Sequence, residues 1–276
     1  MKKILLLSCA ILSLFACKKG SGNNAQDASL SAITVYNPLA HSLNIQQFQF
    51  SNGLLATYSD KTIDTFSIGV NWESRTYVFN YGVANNLPNS VTFLDTAQED
   101  GSVNATQQQS ISLVYDNNNR LILDSVVGTY SGEPEPKWFY DYSADSVIFS
   151  FSPAPGTRPG NPDGFLVETG GNLGAADGWT YSYSSVANPL KNNSLAKTFA
   201  PFFYAGLIGV YIQSNALPVD FISDNLPSGY VDVNGNSTTF VWTKDSKGRV
   251  SGGTANNMYW YASAINGPVT ITYTYQ

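Results

Sequence analysis

Strict alternation of apolar and polar residues over short runs is the feature that most limits what this chain can fold into. In "VTITYTYQ", Val269, Ile271, Tyr273 and Tyr275 alternate with Thr270, Thr272 and Thr274. Trp138, Tyr140 and Tyr142 share one phase, as do Val147, Phe149 and Phe151, then Trp179, Tyr181 and Tyr183. A period of two places such a set on one face of a strand, whereas a helix would scatter it around the axis. Comparable runs recur along the chain: "SAITVY", "NIQQFQF", "TIDTFSIGVNW", "TYVFNYGV", "SISLVYD", "RLILDSVV", "GYVDV" and "STTFVWT" are all β-branched or aromatic and bounded by Gly, Pro, Asn, Asp or Ser. The fold class is therefore mainly all-β. Short links between many runs predict an antiparallel meander, with one face of the sheet toward water.

Two segments break the alternation. Residues 188–213, "NPLKNNSLAKTFAPFFYAGLIGVYIQ", hold an apolar stretch from Phe199 to Ile212 interrupted by Pro201. It is too short to span a bilayer, and the expectation is one or two short helices near residues 190–213 that cover an open sheet face. An element dipping into a membrane is the alternative. Residues 152–164, "SPAPGTRPGNPDG", form a long Pro/Gly loop, a length that marks either disorder or function.

The polar knot in "LVYDNNNRLILDSV" is a turn. Its Asp116, Asn119, Arg120 and Leu121 are matched in "WTKDSKGRVSG" by Asp245, Gly248, Arg249 and Val250. Asn and Gly tolerate positive φ, as a bulged hairpin requires, and the aspartate can accept hydrogen bonds from the turn's own amides. A calcium loop would need alternating oxygen ligands and a bidentate carboxylate, which neither copy supplies. In "DVNGNS", Asn234-Gly235 is a hairpin signal, and the glycine and terminal acid of a calcium loop are missing.

The amino terminus, "MKKILLLSCAILSLFACKKGSGNN", has two lysines, an apolar run from Ile4 to Phe15, then Ala16 and Cys17. This is the pattern of a cleaved signal peptide. "LFAC" at 14–17 resembles the lipobox of bacterial lipoproteins, and that resemblance implies that Cys17 becomes the diacylated first residue of the mature chain. The expected organisation is a lipoprotein signal peptide over 1–16, a lipid anchor and flexible tether over 17–30, and a single β-rich domain over 31–276. Loss of Lys2 and Lys3 with the signal takes the formal charge from −6 to −8.

Several function classes fall away. Once Cys9 is removed with the signal, the only remaining cysteine is the lipidated one, so neither a disulfide nor a thiolate site is available. His41 is the sole histidine, which excludes Ser-His-Asp, Cys-His and multi-histidine mechanisms, and it reads as a surface or half-buried polar residue. No metal and no cofactor is expected. An acidic chain with scattered basic residues is not a nucleic-acid binder.

The Tyr-Asp turn followed by Gly-Arg, with a Tyr-x-Tyr strand some way downstream, resembles the tyrosine-aspartate repeats of bacterial surface proteins. Together with the lipobox and "YSYSSVANPLKNNSLAKTF", the chain resembles a domain-of-unknown-function family of Bacteroidota lipoproteins with a porin-like β fold. The resemblance covers roughly residues 105–276 and leaves 31–100 unmatched. It implies a curved, barrel-like antiparallel sheet and carries over no catalytic residues. It also implies an outer-membrane location. The surface-export signals of such lipoproteins are acidic, and here only Asp27 stands in the tether after Lys18, which favours the periplasmic face.

Three functional readings follow. In the first, a non-enzymatic binding or structural module is held to the membrane through Cys17, with a glycan or an envelope protein as partner. Trp138 follows "GEPEPK" and Trp179 follows "GGNLGAADG", so each stands at a strand start beside an open loop, where an indole can stack on a sugar ring. Both also share a phase with tyrosines that read as core. The second is a carboxylate-based glycan hydrolase, for which Asp141 with Asp145, Glu133 with Glu135, and Asp220 with Asp224 are the acid pairs close in sequence. The third, a transmembrane barrel, needs a continuous apolar outer band, yet the alternate positions here are Thr, Ser, Asn and Asp. Oligomeric state is not written in this pattern.

Overall fold

The structure, a computed structural model, describes residues 30–39, 41–66, 69–82, 86–99, 102–103, 107–127, 137–144, 146–152, 164–176, 179–190, 223–260 and 263–276. The described residues form strands and turns and contain no helix. The strands are β1 Leu30–Asn37, β2 Ser42–Ser51, β3 Leu54–Phe66, β4 Gly69–Tyr81, β5 Pro88–Glu99, β6 Ser102–Val103, β7 Gln107–Tyr115, β8 Leu121–Val127 and β9 Lys137–Tyr142. They continue with β10 Ser146–Ser152, β11 Gly164–Thr169, β12 Asn172–Ala176, β13 Trp179–Ala187, β14 Asn225–Val231, β15 Ser237–Lys244, β16 Val250–Trp260 and β17 Ser263–Tyr275. The signal peptide, Cys17, most of the tether and the helices expected near 190–213, apart from Leu190 in a turn, lie outside the described residues.

All the strands belong to one antiparallel sheet. Apart from the small β6 flap on β5, each strand pairs with its neighbours in sequence, and β1 pairs with β17 as well as β2, so the ladder returns to its start. It is thinnest at β12 and β13, where only Ala175↔Thr180 and Ala176↔Trp179 are in register. A lone sheet can bury one face only by curling around it, and the result is a curved, barrel-like sheet. The expectation of an all-β meander is met, and among the described residues β1↔β17 joins the first and last strands.

Alternation decides the two faces. On β17, Val269, Ile271 and Tyr273 are buried while Thr270, Thr272 and Thr274 are exposed. On β15, Phe240 is buried between exposed Thr239 and Val241. The buried phase joins into one core cluster that includes Ile33, Phe48, Tyr58, Phe93, Phe149, Leu226, Phe240 and Ile271. A transmembrane barrel has the opposite polarity, apolar outside and polar within. Among the described residues, the outer face of β17 carries threonines, while Val114, Val127, Ile148, Val231 and Val241 stand exposed on β7, β8, β10, β14 and β15.

The chain enters β1 at what is here called the near end. Because every pairing is antiparallel, the connections 52–53, 82–87, 116–120, 143–145, 170–171, 188–224 and 245–249 leave from that end too. The connections 38–41, 67–68, 100–106, 128–136, 153–163, 177–178, 232–236 and 261–262 leave from the far end. Exposed His41 lies in the first of the far-end connections, with φ 51°.

Both predicted turns form at the near end. Asp116 Oδ1 accepts from the amides of Asn118 (2.8 Å) and Arg120 (2.9 Å), while Asn119 takes the positive φ of 62°. Asp245 Oδ1 accepts from Lys247 and Arg249 amides at 2.9 Å each, and Gly248 has φ 78°. Each arginine bonds its aspartate through Nε and lies over a tyrosine ring, Arg120 on Tyr142 at 4.8 Å and Arg249 on Tyr275 at 4.5 Å. The geometry shared by the two turns thus links each to the second tyrosine of a Tyr-x-Tyr strand, Tyr140-x-Tyr142 or Tyr273-x-Tyr275. A third copy closes the far-end hairpin at Asp232, whose Oδ1 accepts from Asn234 (2.9 Å) and Asn236 (2.8 Å), with Gly235 at φ 83°.

Candidate functional site

Trp138 and Trp179 stand at the far-end starts of β9 and β13, half-buried. The Trp138 ring meets Phe149 edge-on at 6.1 Å and Phe151 at 4.8 Å. Trp179 packs on Tyr230 at 5.1 Å. Strands β10, β11 and β12 lie between the two along the sheet, and both rings pack against the same core cluster. Of the acid pairs, Asp141 is exposed on β9 and Asp224 is half-buried beside Gly171, its N–H donating to Gly171 O at 2.9 Å. Glu133, Glu135, Asp145 and Asp220 lie outside the described residues.

The acids that the fold places inside are different ones. Across β2, β3, β4, β5 and β7 the register runs Gln46↔Asp60↔Arg75↔Asp95↔Gln107, and one interior position nearer the far end it runs Asn44↔Thr62↔Glu73. The side chains of these positions on β2–β5 share the phase of Phe48, Tyr58, Tyr77 and Phe93, which form the adjacent interior row toward the near end. The interior of this part of the sheet is therefore aromatic toward the near end and polar toward the far end.

Hydrogen bonds tie the polar rows together. Asn44 Nδ2 donates to Asp60 Oδ1 (2.5 Å) and lies 3.1 Å from Thr62 Oγ1, and Gln46 Nε2 donates to Asn44 Oδ1 at 3.4 Å. Arg75 pairs with Glu73 and holds its Nε 4.0 Å from Asp95 Oδ2. Its side chain is only 7% exposed, against 37% for Glu73 and 24% for Asp95, so the cluster opens to solvent through its acids. Burial pushes the Asp60 carboxyl up to about 6, opposed by the Asn44 hydrogen bond and by Arg75. Burial raises Glu73 as well, with Arg75 pulling the other way. Two buried polar atoms lack a hydrogen-bond partner here, Arg75 Nε and Asp95 Oδ1. A buried orphan of this kind costs about 1–3 kcal/mol unless something outside the chain satisfies it.

A second buried acid sits on β8. Asp124 is 4% exposed and accepts the hydroxyl hydrogen of Tyr140, itself buried, on β9. Desolvation dominates, and the carboxyl is pushed up to about 7 despite the Tyr140 bond. Burial first, and then the Asp124 pairing, drives the Tyr140 hydroxyl upward. Asp124 therefore holds its proton to near neutrality, a state in which it needs no counter-charge.

No sequence reading singled out Asp60, Arg75, Asp95 or Asp124. The available signal was phase: Asp60 follows Tyr58 by two, and Arg75 precedes Tyr77 and Phe79 by two and four, so charged residues occupy the buried phase of aromatic strands. Among the described residues no group of three or more His, Cys, Asp or Glu is placed to hold a metal ion.

Fold and site together define a curved all-β sheet, packed inside with aromatic side chains and carrying a polar interior in β2–β5. No family model matches the chain, and no curated protein matches it. Among solved structures it is similar to a porin-like protein from Bacteroides uniformis ATCC 8492, at 14% identity over 90% of this chain and 96% of that one, with a TM-score of 0.38. It is also similar to a porin-like protein from Bacteroides vulgatus ATCC 8482, at 12% identity over 91% of this chain and 99% of that one, with a TM-score of 0.23.

Proposed function

We propose that this chain is a lipoprotein of the outer membrane, anchored through Cys17, which acts as a non-enzymatic binding or structural module with its far end turned away from the bilayer. The observation that carries this reading is where the chain enters the sheet. Leu30 starts β1 at the near end, whereas the polar interior, Trp138 and Trp179 lie toward the far end. A tether from Cys17 joins the near end, so the polar end is presented to the space beyond the membrane. The threonine-rich outer face of β17 supports a sheet held beside the bilayer by lipid rather than threaded through it.

Metabolic labelling with radioactive palmitate tests the anchor: wild type should incorporate label, and Cys17→Ser should lose both the label and the membrane fraction. Protease treatment of intact cells then reads the face, with protection until the outer membrane is opened expected for the periplasmic side. An unlabelled wild type would overturn the anchored reading.

A further inference from the structure

We infer that the polar interior of β2–β5 is a binding site for a neutral, hydroxyl-rich ligand, a saccharide, seated on Arg75 and Asp95; the inference rests on the binding-module reading above. The argument starts from the two orphaned atoms. Arg75 Nε is a donor without an acceptor, and Asp95 Oδ1 is an acceptor without a donor. The two residues are register partners on adjacent strands, with Nε 4.0 Å from the other carboxylate oxygen. A hydroxyl group accepts one hydrogen bond and donates another, so one hydroxyl between them satisfies both.

Charge narrows the ligand further. An anion would face Asp60, Glu73 and Asp95 together, and a cation would face a guanidinium that is 7% exposed and cannot lose its proton. A neutral polyol meets neither repulsion. The flanking row closes the near-end side of the site with packed aromatic rings. Tyr58, Tyr77 and Phe93 occupy the next interior positions, with ring centroids 5.7 Å apart for Tyr58–Tyr77 and 5.0 Å for Tyr77–Phe93. Both orphaned atoms are closed to solvent in this structure, so a hydroxyl reaches them when the partly exposed Glu73 and Asp95 side chains swing aside.

The test is saturation-transfer NMR and calorimetry on the purified full chain with maltotriose, cellotriose, mannotriose, xylotriose and chitotriose at millimolar concentration, and trigalacturonate as the anionic probe. At least one neutral oligosaccharide should bind, trigalacturonate should not, and Asp95→Ala should weaken binding about tenfold or more, a loss near 1.4 kcal/mol. Arg75→Lys, which keeps the charge but removes Nε, should do the same. Near-UV circular dichroism certifies that each variant is folded, and Asp95→Ala, at the half-exposed position, stands alone if Arg75→Lys does not fold. Absence of binding by every neutral probe, which would mean that only a trapped water fills the gap, overturns the inference, as does binding that folded Asp95→Ala leaves unchanged. These results are independent of palmitate labelling, so failure of the site and failure of the anchor are distinguishable. Cleavage of a bound oligosaccharide would retain the site and overturn the non-enzymatic reading.

Discussion

Replacement of Asp124 by asparagine should flatten the pH dependence of stability. Asparagine has nearly the same shape and still offers Tyr140 an acceptor oxygen, but it does not titrate. In the wild type the folded-state pKa is raised to about 7 by burial at 4% exposure, against an unfolded value near 3.9. Stability from this group is therefore fully present below the unfolded pKa and is lost as pH rises through the folded one. Across that window the folded chain binds more protons than the unfolded chain, so each pH unit costs about 1.4 kcal/mol of stability. Between pH 5 and pH 8 the group titrates over roughly two of those units, a loss of about 3 kcal/mol. Asp60, raised to about 6, acts in the same direction over about one unit and is common to both proteins. The assay is urea unfolding of wild type and Asp124→Asn at both pH values. The fall from pH 5 to pH 8 should be smaller in the variant by about 3 kcal/mol. All other titrations cancel in that double difference. Equal falls in the two proteins would refute the argument that Asp124 is buried with its proton.

Two further perturbations test the turns and the sheet. Asn119 holds φ at 62°, so Asn119→Ala should lower stability by about 1–2 kcal/mol while Asn119→Gly does not, as read from urea midpoints. A Cβ on Gly253 would stand 2.7 Å from both Val241 O and the Trp242 ring, so Gly253→Ala should cost about 1–3 kcal/mol and shift the near-UV signal of Trp242; a neutral result would mean that β15 and β16 pack less closely than described.

Much of the architecture was legible because it is written locally. Val269, Ile271, Tyr273 and Tyr275 announce a half-buried strand by period alone, and the Asp116 and Asp245 turns announce their bulge by residue type. The return of β17 onto β1 was not legible, since Ile33↔Tyr273 pairs residues from opposite ends of the chain and no local signal specifies partners so distant. The polar interior was hidden for a different reason. Asp60 and Arg75 occupy a buried phase, but their environment is made by Asn44 and Asp95 from strands on either side, so burial and pairing emerge only after register is set. Those residues also lie in the part of the chain, 31–100, that the family resemblance leaves unmatched.

The composition of that interior is itself informative. Alternation obliges the buried phase of β2–β5 to face inward, but it does not oblige that phase to be polar. The near-end row, Phe48, Tyr58, Tyr77 and Phe93, shows that the same strands accept aromatic residues. Continuing that row toward the far end would avoid desolvating Asp60 and burying Arg75, and well-packed apolar residues in place of a buried ion pair are often neutral or stabilising by about 1–4 kcal/mol. A stability-only explanation would also require the cluster to satisfy itself, yet Arg75 Nε and Asp95 Oδ1 are left without partners. The change from aromatic to polar therefore opposes folding stability from the middle of β2–β5 toward the far end. That is where a bound ligand can offset the cost, because its hydroxyl groups complete hydrogen bonds that the chain leaves open.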